Sequence, residues 1–388
     1  MRAESDAVPA ATSGAVPAAV PVDLRCDDRT LVVSWDDGRV STFHFVWLRD
    51  NCPQLRHATT NHRVVETSEI PTDIRPATVA VGRTGAVEVT WAHDGHVSTF
   101  DANWLRAYDY SNDARVRRRE PILWDSSIGD AMPRASYPNV LADDVCQHRL
   151  MAGFRDYGVA VLHDVPTVPG TVLDVAAVFG ELRVTSWGKV FDVISIENAN
   201  SVAYTSLPLV AHTDEGYRDP TPTIQLQHFL VTEAVGGEAT LVDGFRVAND
   251  LRAEHPAMFD LLASTSLHFD FRDDTSHHEH FGSIFDVEAN GRLRSVRFSN
   301  HSVQPFLIEP DLMEPFYDAY RTFGRMRESA HYKLQLQMNA GDLYMVDNRR
   351  VMHGRNGFRQ GGNRHLQSCY IERDEFMSRL SMLDRTVV

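Results

Sequence analysis

The chain has 388 residues, 43% of them hydrophobic and 23% charged, with a formal net charge of -15. This is a globular composition, long enough for two domains or one large one with a sizeable core. The acidic balance argues against a nucleic-acid partner, since such a surface repels phosphate backbones, and no run of about 18 apolar residues exists that would span a membrane.

Residues 1–20 are rich in Ala, Val and Pro, but Glu4 and Asp6 interrupt the apolar stretch and Pro9 and Pro17 break a helix. A disordered tail is expected there, not a secretory leader. An imperfect repeat follows, LVVSWDDGRVSTFHFVWLRD at 31–50 and VEVTWAHDGHVSTFDANWLRAY at 87–108. In each copy alternating apolar residues lead to a Trp (Trp35, Trp91), a turn holds a Gly (Gly38, Gly95), and a second run ends at Phe43 or Phe100. Alternation around a Gly turn predicts a β-hairpin, and two such hairpins predict a small β domain over residues 21–112. The charged stretch RVRRREPILWD, 115–125, reads as a linker to a second domain at 126–388. Cys26, Cys52, Cys146 and Cys369 form no CxxC pair, which reads as free thiols in a reducing cytoplasm.

The second domain opens with a predicted helix over 144–157 and a buried strand over 158–165. Beyond Ser186 the runs TIQLQHFLV, EATLVDGF, RLRSVRFSN, KLQLQMN and DLYMVDN alternate with turn residues. The succession fits a fold that is mainly β with helices: a double-stranded β-helix, or jelly roll, preceded by the small β domain.

Three residues suggest chemistry. In a strand, residues two apart share a face, so His212 and Asp214 of the triplet His212-Thr213-Asp214 can aim at one point. HxD alone is common on exposed strands. His353, in DNRRVMHGR after the run DLYMVDN, adds a second imidazole. Two His and one carboxylate on a jelly-roll face make the triad that holds non-haem iron and leaves open positions for other ligands. Arg364 follows His353 by eleven residues, so one further strand returns a guanidinium to the same pocket, where its fork can bind a carboxylate through two parallel bonds. Zinc hydrolases share the His₂-carboxylate set but do not need the trailing Arg.

In these motifs the chain resembles the γ-butyrobetaine dioxygenase family, which includes trimethyllysine dioxygenases and lies within the TauD-like superfamily. The segments that carry the resemblance are WLRDNC (47–52), VAYT (202–205), HTD (212–214), GGEATLVDGF (236–245), DNRRVMHGR (347–355) and RHLQSCYIERDEFMSRL (364–380). The resemblance covers nearly the whole chain beyond the tail. It implies an oxidoreductase with Fe(II) on His212, Asp214 and His353, 2-oxoglutarate on Arg364, O₂ as the oxidant and a homodimeric assembly. The implied reaction is hydroxylation of an unactivated C–H bond in a small quaternary-ammonium or amino-acid-like substrate. A γ-butyrobetaine hydroxylase forming carnitine is a narrower alternative. A non-catalytic jelly-roll metal-binding protein is another, with a broken triad as its signature.

The resemblance also implies a substrate pocket, with Trp187, Phe191, Tyr204 and Tyr370 at the family's aromatic-cage positions. Cations gain about 0.5–2 kcal/mol over such ring faces. Ser201, Glu215 and Asn300 match the polar residues that hold the substrate's carboxylate end. An ionised Glu215 beside Asp214 is expected to repel a carboxylate and to disfavour γ-butyrobetaine. Ala239 stands where the family has a hydroxyl residue near 2-oxoglutarate, and Thr240 faces the other way by strand alternation. The family's N-terminal zinc site is reduced here to Cys52, His57 and His96, with His62 as a fourth candidate. Structural zinc wants four protein ligands, so the site is expected to be empty.

Overall fold

The computed structural model describes residues 19–111, 120–194, 206–359 and 363–387. The chain divides into two compact units, 1–120 and 121–388.

The first unit contains two three-stranded antiparallel sheets with the same plan. One is built from Pro21–Cys26, Thr30–Trp35 and Val40–His44, the other from Pro76–Val81, Val87–Trp91 and Val97–Phe100. The two hairpins read from the repeat are the second and third strands of each sheet, and each gains a leading strand. Leu31, Val33 and Trp35 alternate into the core, as do Val87, Val89 and Trp91. The repeat extends to single bonds: the indole of Trp35 donates to Ser41 Oγ and that of Trp91 to Ser98 Oγ, both at 2.8 Å. A short helix closes each copy, Phe45–Asp50 and Ala102–Ala107. Among the candidate zinc ligands, Cys52 Sγ lies 3.2 Å from His96 Nε2. His57 and His62 are exposed, and His57 Nδ1 accepts from the Thr60 amide at 3.4 Å. The four side chains are not brought together.

The second unit contains a seven-stranded sheet and a four-stranded sheet. The larger runs Phe191–Ile194, Arg364–Ile371, Ile224–Thr232, Leu343–Asp347, Val159–His163 and Arg134–Ser136, with Leu182–Arg183 also paired to Arg364–Ile371. The smaller runs Leu209–His212, Val351–Arg355, Ala239–Asp243 and Leu334–Leu336. Side chains of both sheets meet in one core that includes Val161, Phe229, Leu241, Tyr344, Val346 and Leu366. Helices Asp144–Tyr157, Thr171–Phe179 and Arg373–Val387 join the larger sheet in a second core around Phe154, Phe179, Leu226, Met345 and Phe376.

Local rules explain the elements. The helix Asp144–Tyr157 starts where Asp143 accepts from the amides of Val145 and Cys146 and stops at Gly158, whose φ of 73° suits a left-handed C-terminal turn. Pro121–Asp125, expected as linker, packs within this second unit. Trp124 is buried, its indole donates to the Tyr157 carbonyl at 2.7 Å, and its amide donates to Asp243 Oδ2 at 3.1 Å.

Candidate metal centre and active site

His212 and His353 are cross-strand partners in the four-stranded sheet, their ring centroids 4.8 Å apart. The strand carrying His212 ends at that residue, so Asp214 does not reach the site by strand alternation. A fixed turn brings it there. The Thr213 amide donates to the Phe298 carbonyl at 3.0 Å, and the Phe298 amide donates to Thr213 Oγ1 at 2.9 Å. Asn348 clamps the next residue, accepting from the Asp214 amide at 2.7 Å and donating to the Asp214 and Pro222 carbonyls at 3.0 and 2.9 Å. Arg327, buried against Phe298, donates to the Ala211 carbonyl at 2.7 Å.

The result is a compact donor set. Ligand atoms of His212, Asp214 and His353 lie within 4.8 Å of one another, with His212 Nε2 3.2 Å from Asp214 Oδ1 and His353 Nε2 3.5 Å from Oδ2. Each group is prepared for a cation. His212 Nδ1 donates to the Val210 carbonyl at 2.9 Å, which leaves the Nε2 lone pair facing the carboxylate. Burial pushes the His353 imidazole down to about 4, so it stays neutral and able to ligate. Burial alone would raise the Asp214 carboxyl, but His353, His212 and the Tyr370 hydroxyl hold it well below the usual carboxylate range. Gln225 Nε2 and Tyr370 OH both donate to Asp214 Oδ2 at 2.6 Å, leaving Oδ1 for an ion. This set fits a divalent transition metal.

Arg364 opens the strand Arg364–Ile371 of the larger sheet and lines the same cavity as the three ligands. Its guanidinium lies 5.8 and 5.7 Å from the ring centroids of Phe229 and Phe358, and among the described residues no carboxylate pairs with it. Tyr344, Gln227 and Arg355 line the cavity too, with the Tyr344 hydroxyl donating to Gln227 Oε1 at 2.6 Å. Burial, and then the charge of Arg364, push the Arg355 guanidinium down to about 10. The half-buried Arg364 fork on this cavity suits a carboxylate. Ala239 lines the cavity and Thr240 does not, as alternation requires.

The substrate positions divide. Trp187, Phe191 and Tyr370 form a chain of rings with centroids 6.4 and 5.8 Å apart. Phe271 and Tyr217 extend it, Phe271 lying 5.6 Å from Trp187 and 4.9 Å from Tyr217. Tyr370 has a second task, since its hydroxyl orients Asp214. Tyr204 and Ser201 lie outside the described residues. Asn300 is exposed, accepts from Tyr320 at 2.5 Å, and is not among the residues lining the cavity. Glu215 requires a correction: it is buried, with a φ of 50°, and its Oε2 lies 2.5 Å from Arg218 Nε. Burial raises its carboxyl to about 7 despite Arg218. Arg218 also donates to Ser186 Oγ at 2.7 Å. The expected free negative charge is therefore compensated.

Sequence reasoning missed Gln225, Gln227, Tyr344, Asn348 and Arg355. The two glutamines left a signal: amides two apart in the strand run TIQLQHFLV fall on one face of a buried strand.

The fold and this site define a class. Residues 124–370 match the taurine catabolism dioxygenase TauD, TfdA family, and residues 22–118 match the N-terminal domain of gamma-butyrobetaine hydroxylase-like proteins. The chain is similar to the gamma-butyrobetaine dioxygenase of Pseudomonas sp. (strain AK-1), at 37% identity over 91% of this chain and 93% of that one. The human gamma-butyrobetaine dioxygenase is 30% identical over 92% and 94%, and the mitochondrial trimethyllysine dioxygenase of Gallus gallus 30% over 88% and 83%. The chain belongs to the TauD, TfdA dioxygenase family and is a dioxygenase dependent on iron and 2-oxoglutarate. No helix among the described residues is long and apolar enough to cross a membrane.

Proposed function

We propose that the protein hydroxylates an unactivated C–H bond of a small quaternary-ammonium substrate, with iron on His212, Asp214 and His353 and 2-oxoglutarate held by Arg364. The two packed sheets of the second unit are read as a double-stranded β-helix. Bound iron, with 2-oxoglutarate and O₂, supplies the oxidising power. The chain's own residues do the rest. Gln225, Tyr370 and Asn348 fix Asp214, Val210 fixes the His212 tautomer, and Arg364 orients the cosubstrate through its far carboxylate. Positioning of one C–H and exclusion of water are the protein's part in the rate.

The observation that carries the substrate class is the ring series Trp187–Phe191–Tyr370, which leads to the metal because the Tyr370 hydroxyl bonds Asp214. A methylated ammonium is attracted to such faces and offers no hydrogen bond to satisfy. Compensation of Glu215 by Arg218 removes the charge objection to a carboxylate-bearing onium compound. γ-Butyrobetaine, the substrate named in the similar dioxygenases, becomes the first compound to test. The assay is succinate release with γ-butyrobetaine, trimethyllysine, trimethylammonium phosphonates and free amino acids. Turnover of a trimethylammonium compound is expected. Turnover confined to compounds without a methylated ammonium would overturn the reading.

A further inference from the structure

The hairpin formed by Leu267–Arg272 and His277–Gly282 has two chemically distinct faces. Its inner residues join the ring series: Phe271 packs on Trp187 and Tyr217, and His278 stacks on Tyr217 with centroids 6.2 Å apart. Its outer face carries His268, Asp270, Arg272, His277 and Glu279, with the Arg272 guanidinium 3.2 Å from the His277 ring. Asp270 and Glu279 are directly opposed in the register. Like charges in that position destabilise a strand pair, yet imidazoles also converge there. His268 Nε2 is 3.2 Å from Glu279 Oε2, and its ring lies flat on Phe281 with centroids 4.5 Å apart and planes 5° from parallel. His277 Nε2 bonds Asp270 Oδ2 at 2.7 Å. Ligand atoms of His268, Asp270 and Glu279 lie within 4.8 Å of one another.

We propose that this outer face is a second metal site, taking a divalent first-row transition ion such as zinc through His268 Nε2, Asp270 and Glu279. Four features support it. A tetrahedral ion with bonds of about 2 Å needs donors roughly 3.3 Å apart, close to the His268–Glu279 separation. An imidazole donor favours zinc, nickel or copper over calcium or magnesium. His277 holds one oxygen of Asp270 and leaves the other free to ligate. A cation between Asp270 and Glu279 removes their repulsion. Three protein ligands leave water in the remaining position, so this is the open, exchangeable kind of zinc site and not the four-ligand structural kind. Because the ion ties one strand to the other, it stiffens the hairpin whose opposite face bears Phe271 and His278. The binding site stands apart from the proposed function, and only an effect on substrate affinity would rest on it.

The test is equilibrium dialysis of the full chain against zinc, with hydrogen exchange of the hairpin amides as a second readout. The wild type is expected to hold about one zinc per chain more than Glu279→Gln or His268→Gln. His353→Ala should lose only the ion of the iron site. Zinc should slow exchange over residues 267–282 in the wild type and in His353→Ala, and leave Glu279→Gln unaffected. Equal zinc in the wild type and both hairpin variants would overturn the site. So would unchanged hairpin exchange in the wild type on adding zinc, a result that needs no variant to fold. Succinate release is measured separately, so failure here and failure of the oxygenase reading are distinguishable.

Discussion

Replacing Arg364 with Met should weaken 2-oxoglutarate and at the same time stabilise the protein that lacks it. In the structure Arg364 is half-buried, no carboxylate pairs with it among the described residues, and Arg355 adds a like charge in the same cavity. The rings of Phe229 and Phe358 offset part of that cost, at about 0.5–1 kcal/mol each. Removing a half-buried cation to which no described residue supplies a counter-ion should therefore gain about 1–2 kcal/mol net, raising the melting temperature by roughly 2–6 °C. Loss of the pair with the cosubstrate costs about 2–5 kcal/mol, which raises the 2-oxoglutarate requirement by roughly 30-fold to several thousand-fold. Wild type at a hundred times its dissociation constant gains about 2.7 kcal/mol from the ligand, and at that concentration the variant gains about 0.9 kcal/mol if affinity falls 30-fold and almost nothing if it falls several thousand-fold. The melting order should thus reverse: variant above wild type without 2-oxoglutarate, below it with 2-oxoglutarate. Thermal melts at several 2-oxoglutarate concentrations read this directly. The same order at every concentration, or an unchanged KM for 2-oxoglutarate, would refute Arg364 as the carboxylate partner.

Three further outcomes follow from single bonds. Tyr370→Phe removes one of two donors to Asp214 Oδ2 and should weaken iron binding by roughly 10-fold or more, measured by iron titration, with little change in 2-oxoglutarate affinity at saturating iron. Asn348→Ala removes the clamp on the Asp214 backbone and leaves buried amide and carbonyl groups unpaired, at a cost of about 2–4 kcal/mol in denaturant melts. Ser41→Ala and Ser98→Ala each strand a buried indole N–H and should destabilise the first unit by about 1–3 kcal/mol, with KM for 2-oxoglutarate unchanged. An equal rise in KM in those two variants would show that the units are functionally coupled.

The readable parts of this molecule were those where one physical rule acts alone. Alternation around Gly38 and Gly95 predicted both hairpins, and the repeat even paired the two tryptophans. Spacing and type picked out His212, Asp214, His353 and Arg364, which the fold gathers around one cavity. What stayed hidden depends on long-range contacts. Asn348 reaches Asp214 across 134 residues, and Gln225 of the larger sheet serves a ligand carried on the turn after a strand of the smaller one. Glu215 shows the opposite failure. It is expected from sequence as a free charge that repels a substrate carboxylate, while in space it faces Arg218, three residues further on, as well as Asp214. Asn300 matched a family position by sequence yet lies exposed beside Tyr320.

The central claim is that His212, Asp214 and His353 hold the iron that drives 2-oxoglutarate turnover. Its most direct test is succinate formation by the wild type and by His353→Ala, at saturating Fe(II) and 2-oxoglutarate in air, with circular dichroism to establish that the variant is folded. Removing one of three ligands should abolish succinate formation in a folded variant. Succinate formation by folded His353→Ala at the wild-type rate would contradict the account.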